Sequence, residues 1–358
     1  MSGQLTILGA TGYTGRLCAQ VAQERGLDVV LAGRNPDKLG ALARELGGPR
    51  TAVVDVTDGA ALRALADASE VLLTTVGPYG LHGRPAVHAA IDGGAHYIDV
   101  SGEVPFIAWV REQDEAARAA GVTLCPGFGF DGFPGDLLAG MAAALLGAPV
   151  DEARVAYLVR RGRVSGGTFR TMVSMAGAPG AAWVGGRLVD EPIGADAWRA
   201  PYPEPLGIRP AVSAPMPDVA TLGPSTGAHT ARAYMVAPGA RVMPKIAAPL
   251  QAVLGAVMRS PAGDAVRRFA DGMPEGPAPG DRARTRTAVL AEVRGGHDTA
   301  RVWCRLSDLY LATAHIAVGV AQRLMDGPSP SGAVTPTQLF GPDAGTFLQE
   351  IGADWASC

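Results

Sequence analysis

Cysteines and aromatics are few in this sequence, long apolar runs are missing, and there is no surplus of basic charge. Each scarcity removes a class of protein. The four cysteines, Cys18, Cys125, Cys304 and Cys358, are scattered and form no C-x-x-C pair. That excludes a disulfide scaffold and a zinc ribbon and points to reduced thiols in a cytosol. The six histidines, His82, His88, His96, His229, His297 and His315, show no ligand spacing, so no metal site is expected. With 6% aromatic residues and a formal net charge of -3, the chain lacks both the stacking platforms and the basic face of a nucleic-acid binder. No stretch reaches the ~20 apolar residues of a membrane span. The longest candidates, Leu137 to Val150 and Ile246 to Met258, are short or broken by Pro149, Pro249 and Gln251. The first strand begins almost at once, which leaves no room for a signal peptide and predicts a soluble, cytoplasmic protein.

What is present is a globular composition: 47% hydrophobic and 18% charged residues in 358, enough for two domains. The stretch Leu5 to Gly15 organises the first of them. An apolar run ends in Gly9, Gly12 and Gly15 follow at intervals of three, and an amphipathic segment, Arg16 to Arg25, comes next. Strand, tight turn and helix start in that order predict a dinucleotide-binding turn built from Gly9, Ala10, Thr11, Gly12, Tyr13, Thr14 and Gly15. Gly9 makes the turn, Gly12 lets the backbone approach a pyrophosphate, and Gly15 lets the helix pack on the strand. The helix N-terminus then faces the phosphates.

A second strand, Asp28 to Ala32, runs into Gly33, Arg34 and Asn35, where such folds contact the adenosine ribose. An acidic residue there would repel a ribose phosphate. Arg34, with Lys38 a helical turn later, offers donors to one and favours NADP(H) over NAD(H). A solvated loop arginine is the alternative. A third strand ends in Asp55 and Val56; Asp55 either accepts from the adenine amino group or caps the helix starting near Asp58. A buried strand, Val71 to Val76, leads into Gly77-Pro78-Tyr79-Gly80, a loop beyond a strand's carboxyl end, where ligands of open α/β sheets bind. Val76, Gly77 and Pro78 are therefore expected beside the cofactor. Helix Arg84 to Asp92, strand Tyr97 to Val100, a long helix Pro105 to Ala120 and strand Val122 to Cys125 complete an alternation that fits a doubly wound parallel sheet.

Beyond it, Gly127 to Asp136 is a glycine-rich turn into a helix, Leu137 to Leu146. Asp136 reads as its N-cap, while Asp131 is the better site candidate. A second, α+β domain begins with the strand Ala153 to Val159. The Pro-rich stretch Gly185 to Pro224 reads as loops over its sheet. Val242 to Met258 is an apolar helical stretch, either a lid or a plain core helix. Thr285 to Val293 and Thr299 to Leu306 read as paired strands, and Leu309 to Met325 as a final helix. The expected division is a nucleotide domain over 1–126, a substrate domain over 127–308, and a C-terminal helix and tail over 309–358.

With these residues in hand the sequence resembles the saccharopine dehydrogenase-like oxidoreductases, and within them the bacterial trans-acting enoyl reductases. The resemblance is carried by Gly9 to Gly15, Ala32-Gly-Arg34, Gly77-Pro-Tyr79, Ala95-His-Tyr-Ile-Asp-Val-Ser-Gly-Glu103 and Pro126 to Asp136. Ser165-Gly-Gly-Thr168, Gly276-Pro277 with Arg282, Tyr310 with Thr313-Ala314, and Gly332-Ala-Val-Thr-Pro336 also match. It implies a Rossmann domain, a second mixed domain holding substrate, packing of the final helix toward the nucleotide domain, and NADP(H) as hydride carrier.

Reduction by NADPH also needs a proton source. No tyrosine has a lysine four residues on, which excludes a short-chain dehydrogenase pair. Tyr79, as acid or pocket wall, and Asp131 are the catalytic candidates, ahead of His82 and His229. The leading reading is reduction of a conjugated C=C bond, on a small or carrier-tethered substrate. An imine reductase, with Arg160, Arg170 or Arg232 holding carboxylates, is the alternative, and a non-catalytic NADP(H)-binding adaptor a third. A homodimer is compatible with each.

Overall fold

The computed structural model describes residues 4–240 and 242–358. The chain forms two units: the first comprises the residues up to Phe130 together with Tyr310–Val334, the second Asp131–Leu309 and Thr335–Cys358.

The first unit is built on a seven-stranded parallel sheet. Its strands are β1 (Leu5–Leu8), β2 (Val29–Gly33), β3 (Arg50–Val53), β4 (Val71–Thr74), β5 (His96–Asp99) and β6 (Thr123–Cys125), with Gly332–Ala333 added at the edge. The order across the sheet is Gly332–Ala333, β6, β5, β4, β1, β2, β3, so strands are added outward in opposite senses from the adjacent β1 and β4. Strands β1 and β4 are apolar on both faces and buried throughout, as a sheet covered by helices on both sides requires. The register pairs Leu5 with Val71 and Leu8 with Thr74, bringing the ends of the two central strands level. This is the doubly wound parallel sheet expected from the alternating pattern.

Two stretches of this unit differ from expectation. The helix after β4 starts at Tyr79 and runs to Gly93, with Pro85 inside it, so Tyr79 and Gly80 belong to a helix and not a loop. The segment expected as one helix over 105–120 is two, Val104–Arg111 and Asp114–Ala120. Asp114 at the break accepts the Ala333 N–H at 2.8 Å, fastening the edge strand. Helix Leu309–Asp326 is buried along most of its length. Its Gln322 receives Arg25 at 3.2 Å, and Thr313 accepts the Phe130 N–H at 3.1 Å.

The second unit has a nine-stranded mixed sheet. Its centre is Glu152–Arg160, flanked antiparallel by Arg286–Gly295 and parallel by Thr230–Val236. The hairpin Arg286–Gly295 with Asp298–Ser307 matches the paired strands expected around Gly295-Gly296. The stretch expected as loops carries strands: Arg187–Glu191, Ala197–Pro201 and Ile208–Ser213. Trp198 and Ala200 turn inward while Arg199 between them is exposed, and Pro201 and Pro210 sit in the outermost pair of that flank, where a missing N–H is tolerated. Helix Phe133–Leu146 is apolar and buried along its first half. It begins earlier than expected, with Gly132 at its cap. Asp136 is therefore inside the first turn and does not cap its own helix. Its carboxylate instead accepts the Thr337 N–H and hydroxyl at 2.9 and 2.8 Å and the Ser225 hydroxyl at 2.6 Å.

Candidate dinucleotide site

Because the sheet is parallel, the loops after β1, β2, β3 and β4 all leave it at the same edge, and the point between β1 and β4 is where a crevice opens. The turn after β1 has the backbone its glycines allow. Gly9 has φ +88°, and a Cβ there would lie 2.8 Å from both Thr75 Oγ1 and Val76 Cγ2. The turn after β1 is thus pressed against the segment after β4, and the Thr75 hydroxyl donates to the Gly9 carbonyl at 3.1 Å. At Gly15 a Cβ would fall 2.2 Å from the Gly9 carbonyl oxygen. Only hydrogen fits there.

The helix that follows, Tyr13–Glu24, differs from its neighbours in its capping residue. Helix Pro36–Glu45 is capped by Asn35, whose Oδ1 accepts from Lys38 N at 2.9 Å. Helix Gly59–Asp67 is capped by Asp58. Helix Tyr79–Gly93 receives the Glu103 carboxylate, which accepts from Tyr79 N at 2.7 Å and Gly80 N at 2.8 Å. Helix Tyr13–Glu24 has at its cap Gly12, which has no side chain to accept, and no acidic residue in its first turn. A helix end left this way presents donors and positive potential to an anion. The glycine cradle and this end fit the pyrophosphate of a dinucleotide.

The other residues expected at the cofactor fall around the same edge. Gly33 ends β2, and Arg34 and Lys38 are exposed just beyond it. Asp55 caps no helix. Its Oδ1 accepts from the Thr57 N–H and hydroxyl at 2.9 and 2.7 Å. Those bonds, and after them the charges of Arg34 and His82, hold its carboxyl below the usual carboxylate range. Val56 is half-buried next to it. Val76, Gly77 and Pro78 form the connection from β4 into helix Tyr79–Gly93, with the Gly77–Pro78 peptide cis. Tyr13 stacks edge-on to Tyr310 with ring centroids 5.1 Å apart.

The catalytic candidates fare unequally. Tyr79 is buried, and its hydroxyl donates to the Thr74 carbonyl at 3.0 Å. Burial and the Asp99 charge push its pKa well above the ordinary value. That hydroxyl is turned into the protein, which argues against a proton-donating role. Asp131 begins the second unit, half-buried, and burial pushes its carboxyl up to about 6. His229 is exposed at the start of strand Thr230–Val236. Arg232 is held by Glu191 at 2.8 Å and is committed to that pair. Arg160 lines a cavity of about 430 Å³ on the second sheet, with Arg286, Arg305 and Leu158.

Sequence reasoning passed over two groups. Asp99, at the end of β5, is fully buried, and its Oδ1 accepts the Ser101 and Gly127 N–H groups, both at 2.8 Å. Burial pushes it up to about 7 against those bonds. The only signal was its place in the Ala95 to Glu103 motif. In the second unit the Tyr157 hydroxyl bridges both oxygens of buried Asp218, at 2.8 and 3.0 Å. Gly135 makes room for them, since a Cβ there would meet Asp218 Oδ1 at 2.1 Å. No local pattern announces a pair 61 residues apart.

Residues 5–125 match the family described as Saccharopine dehydrogenase NADP binding domain. The cofactor for which this domain is built is a nicotinamide dinucleotide. Over 141 residues the chain is 34% identical to a trans-acting enoyl reductase of Mycobacterium ulcerans, covering 37% of this chain and 34% of that protein. Over 152 residues it is 34% identical to a human saccharopine dehydrogenase-like oxidoreductase, covering 37% and 35%. The match thus spans about a third of the length of these curated relatives. Among solved structures, saccharopine dehydrogenase (L-Glu forming) from Saccharomyces cerevisiae superposes with a TM-score of 0.63 over 99% of this chain and 100% of that one, at 14% identity. The fold is shared at that distance. The resemblance read from the motifs holds, and the match places it in the first unit.

Proposed function

We propose that the protein is an NADPH-dependent reductase that delivers hydride to a conjugated C=C bond of an acyl or biosynthetic intermediate. The observation that carries the cofactor half is the glycine-capped end of helix Tyr13–Glu24 beneath the Gly9, Gly12 and Gly15 turn, with Arg34 beyond β2. The enoyl half is supported by the relatives named trans-acting enoyl reductases.

Bound NADPH would supply the hydride. The backbone N–H groups at the start of helix Tyr13–Glu24 hold the pyrophosphate, and Arg34 and Lys38 hold the ribose phosphate with donors that an acidic residue would lack. Val76, Gly77 and Pro78 form the wall at the switch point. Asp131, whose carboxyl is raised to about 6 and so keeps its proton to a higher pH than an ordinary aspartate, is the proton donor that the chemistry requires.

Reduction of a C=N bond is the second reading, favoured by the arginine-lined cavity around Arg160, which suits a carboxylate-bearing substrate. Fluorescence titration with NADPH and NADH tests the cofactor. NADPH should bind more tightly, and Arg34→Ala should weaken NADPH at least about tenfold while leaving NADH nearly unchanged. Equal affinities in the unmodified protein would overturn the argument from Arg34. NADPH consumption, followed side by side with enoyl thioesters and cyclic imines, tests the bond reduced. Turnover of imines alone selects the second reading, and turnover of neither class makes the protein a binder without chemistry.

A further inference from the structure

Exposed large apolar side chains are concentrated in one place in this molecule. Val242, Ile246, Leu250, Val253, Leu254, Val257 and Phe269 all lie within or just before the helices Met243–Met258 and Pro261–Asp271. Val253 is 62% exposed, Leu250 48% and Phe269 64%. The neighbouring helix Gly166–Met175 adds Met172.

The pattern is that of a helix with two apolar faces. Ala247, Gly255 and Met258 turn inward. Met258 joins Val173 and Ala270 in a small core, with Phe169 and Val266 against it. Close approach is forced at Gly177, where a Cβ would lie 2.5 Å from Gly255 Cα. A second stripe, Ile246, Leu250, Val253, Leu254 and Val257, recurs at helical spacing and faces away from that core. Isolated exposed apolar residues are ordinary on a protein surface, whereas a contiguous stripe on one element marks an interaction surface.

Charge selects the occupant. The chain as a whole carries a net charge of -3. The two helices and their joint carry Lys245, Arg259, Arg267 and Arg268 against Asp264 and Asp271, and helix Met243–Met258 contains no acidic residue. At 100° per residue, Lys245 lies beside the stripe, where a long basic side chain reaches headgroups while the apolar face enters the acyl boundary, and Arg259 closes the helix on its far side. A second copy of this chain would instead set one basic hairpin against another. We infer that the Met243–Asp271 helix pair is an interfacial docking element for a bilayer surface rich in anionic phospholipid.

The element anchors the protein to one leaflet without crossing it. Among the described residues, no helix is long and apolar enough to span a membrane.

Vesicle flotation of the full chain tests this. Vesicles of phosphatidylcholine with an equal part of phosphatidylglycerol should carry the protein upward at low salt, and vesicles of phosphatidylcholine alone should carry much less. The double variant Leu250→Ser, Val253→Ser should lose flotation while keeping NADPH affinity. The triple variant Lys245→Glu, Arg259→Glu, Arg268→Glu should lower partitioning at least about tenfold. Failure of the unmodified protein to float on either vesicle overturns the inference, as does unchanged flotation of the serine variant. So does a dimer, seen by sedimentation velocity, that this variant dissolves, since the face would then belong to a second copy. The NADPH titration is independent of all these readouts, so failure here leaves the proposed reductase standing.

Discussion

Gly9 and Gly15 face one another across the narrowest point of the nucleotide turn, and both were readable as glycines with work to do from their spacing alone. Their reasons differ. Gly9 needs a positive φ, a local property, whereas Gly15 needs a vacant Cβ because the Gly9 carbonyl occupies that place. Asp131 was readable as a residue too polar for its Gly and Phe surroundings. Its role yields a pH prediction. With its carboxyl raised to about 6, the acid form declines as pH rises through that value. Donor-dependent reduction should therefore fall on the alkaline side of about 6. Asp131→Asn should cost on the order of 10²-fold in kcat and abolish that limb of the profile, with NADPH affinity unchanged. Asp99 predicts a stability effect. Its folded pKa, about 7, lies above the ordinary 3.8, so the native state keeps a proton that the unfolded chain has released. The stabilisation is full below about 4 and is lost as pH rises through about 7, at most about 4 kcal/mol by linkage. Asp99→Asn keeps an acceptor for Ser101 and Gly127 and has no proton to lose. Denaturant melts of the two proteins should converge below about pH 4, diverge between about 4 and 7 and stay apart above that, with the variant the more stable.

Among the elements, the helices show how far local pattern carries. Periodicity located the helices after β1, β2 and β3, because their caps are within a few residues of their starts: Gly12, Asn35 and Asp58. It misplaced the start of helix Tyr79–Gly93, whose anionic partner Glu103 lies 24 residues on. Glu103 is buried and accepts two backbone N–H groups, bonds to a charged group that fold two strands' connections together. Glu103→Ala should cost about 1–3 kcal/mol in urea unfolding and weaken NADPH binding, since the Thr75–Pro78 connection leads directly into that helix. Glu103→Gln, which keeps one acceptor, should lose less. The Pro-rich stretch after Gly185 misled for a related reason: its strands are short and several run at or toward one flank of the sheet, where proline is tolerated and alternation is the only sign of pairing.

For the whole molecule, the first unit is discontinuous in sequence. The chain leaves it after Phe130 and returns for Tyr310–Val334, which supplies the helix with buried Ile316, Val320 and Leu324 and the edge strand Gly332–Ala333. A fragment of residues 1–130 carries every residue proposed to hold the nucleotide but lacks that helix and leaves β6 as a bare edge. It should aggregate and fail to bind NADPH, whereas 1–130 joined by a short linker to 309–334 should bind it, as read by fluorescence titration and sedimentation.

The sequence by itself determined the parallel sheet, the glycine turn, the arginine just beyond the second strand and the nicotinamide cofactor class. Each depends on residues a few positions apart, where strand alternation, helical period and the sterics of Cβ act. The tertiary structure alone decided that the Tyr79 hydroxyl turns toward Thr74, that Asp136 serves Thr337 and Ser225 and not the start of its own helix, and that 310–334 rejoins the first unit. Apart from the nearby Thr74, these partners stand far along the chain, and burial brings them together. A carboxylate or hydroxyl withdrawn from water must find a partner wherever packing has put one, and no local pattern records where that is.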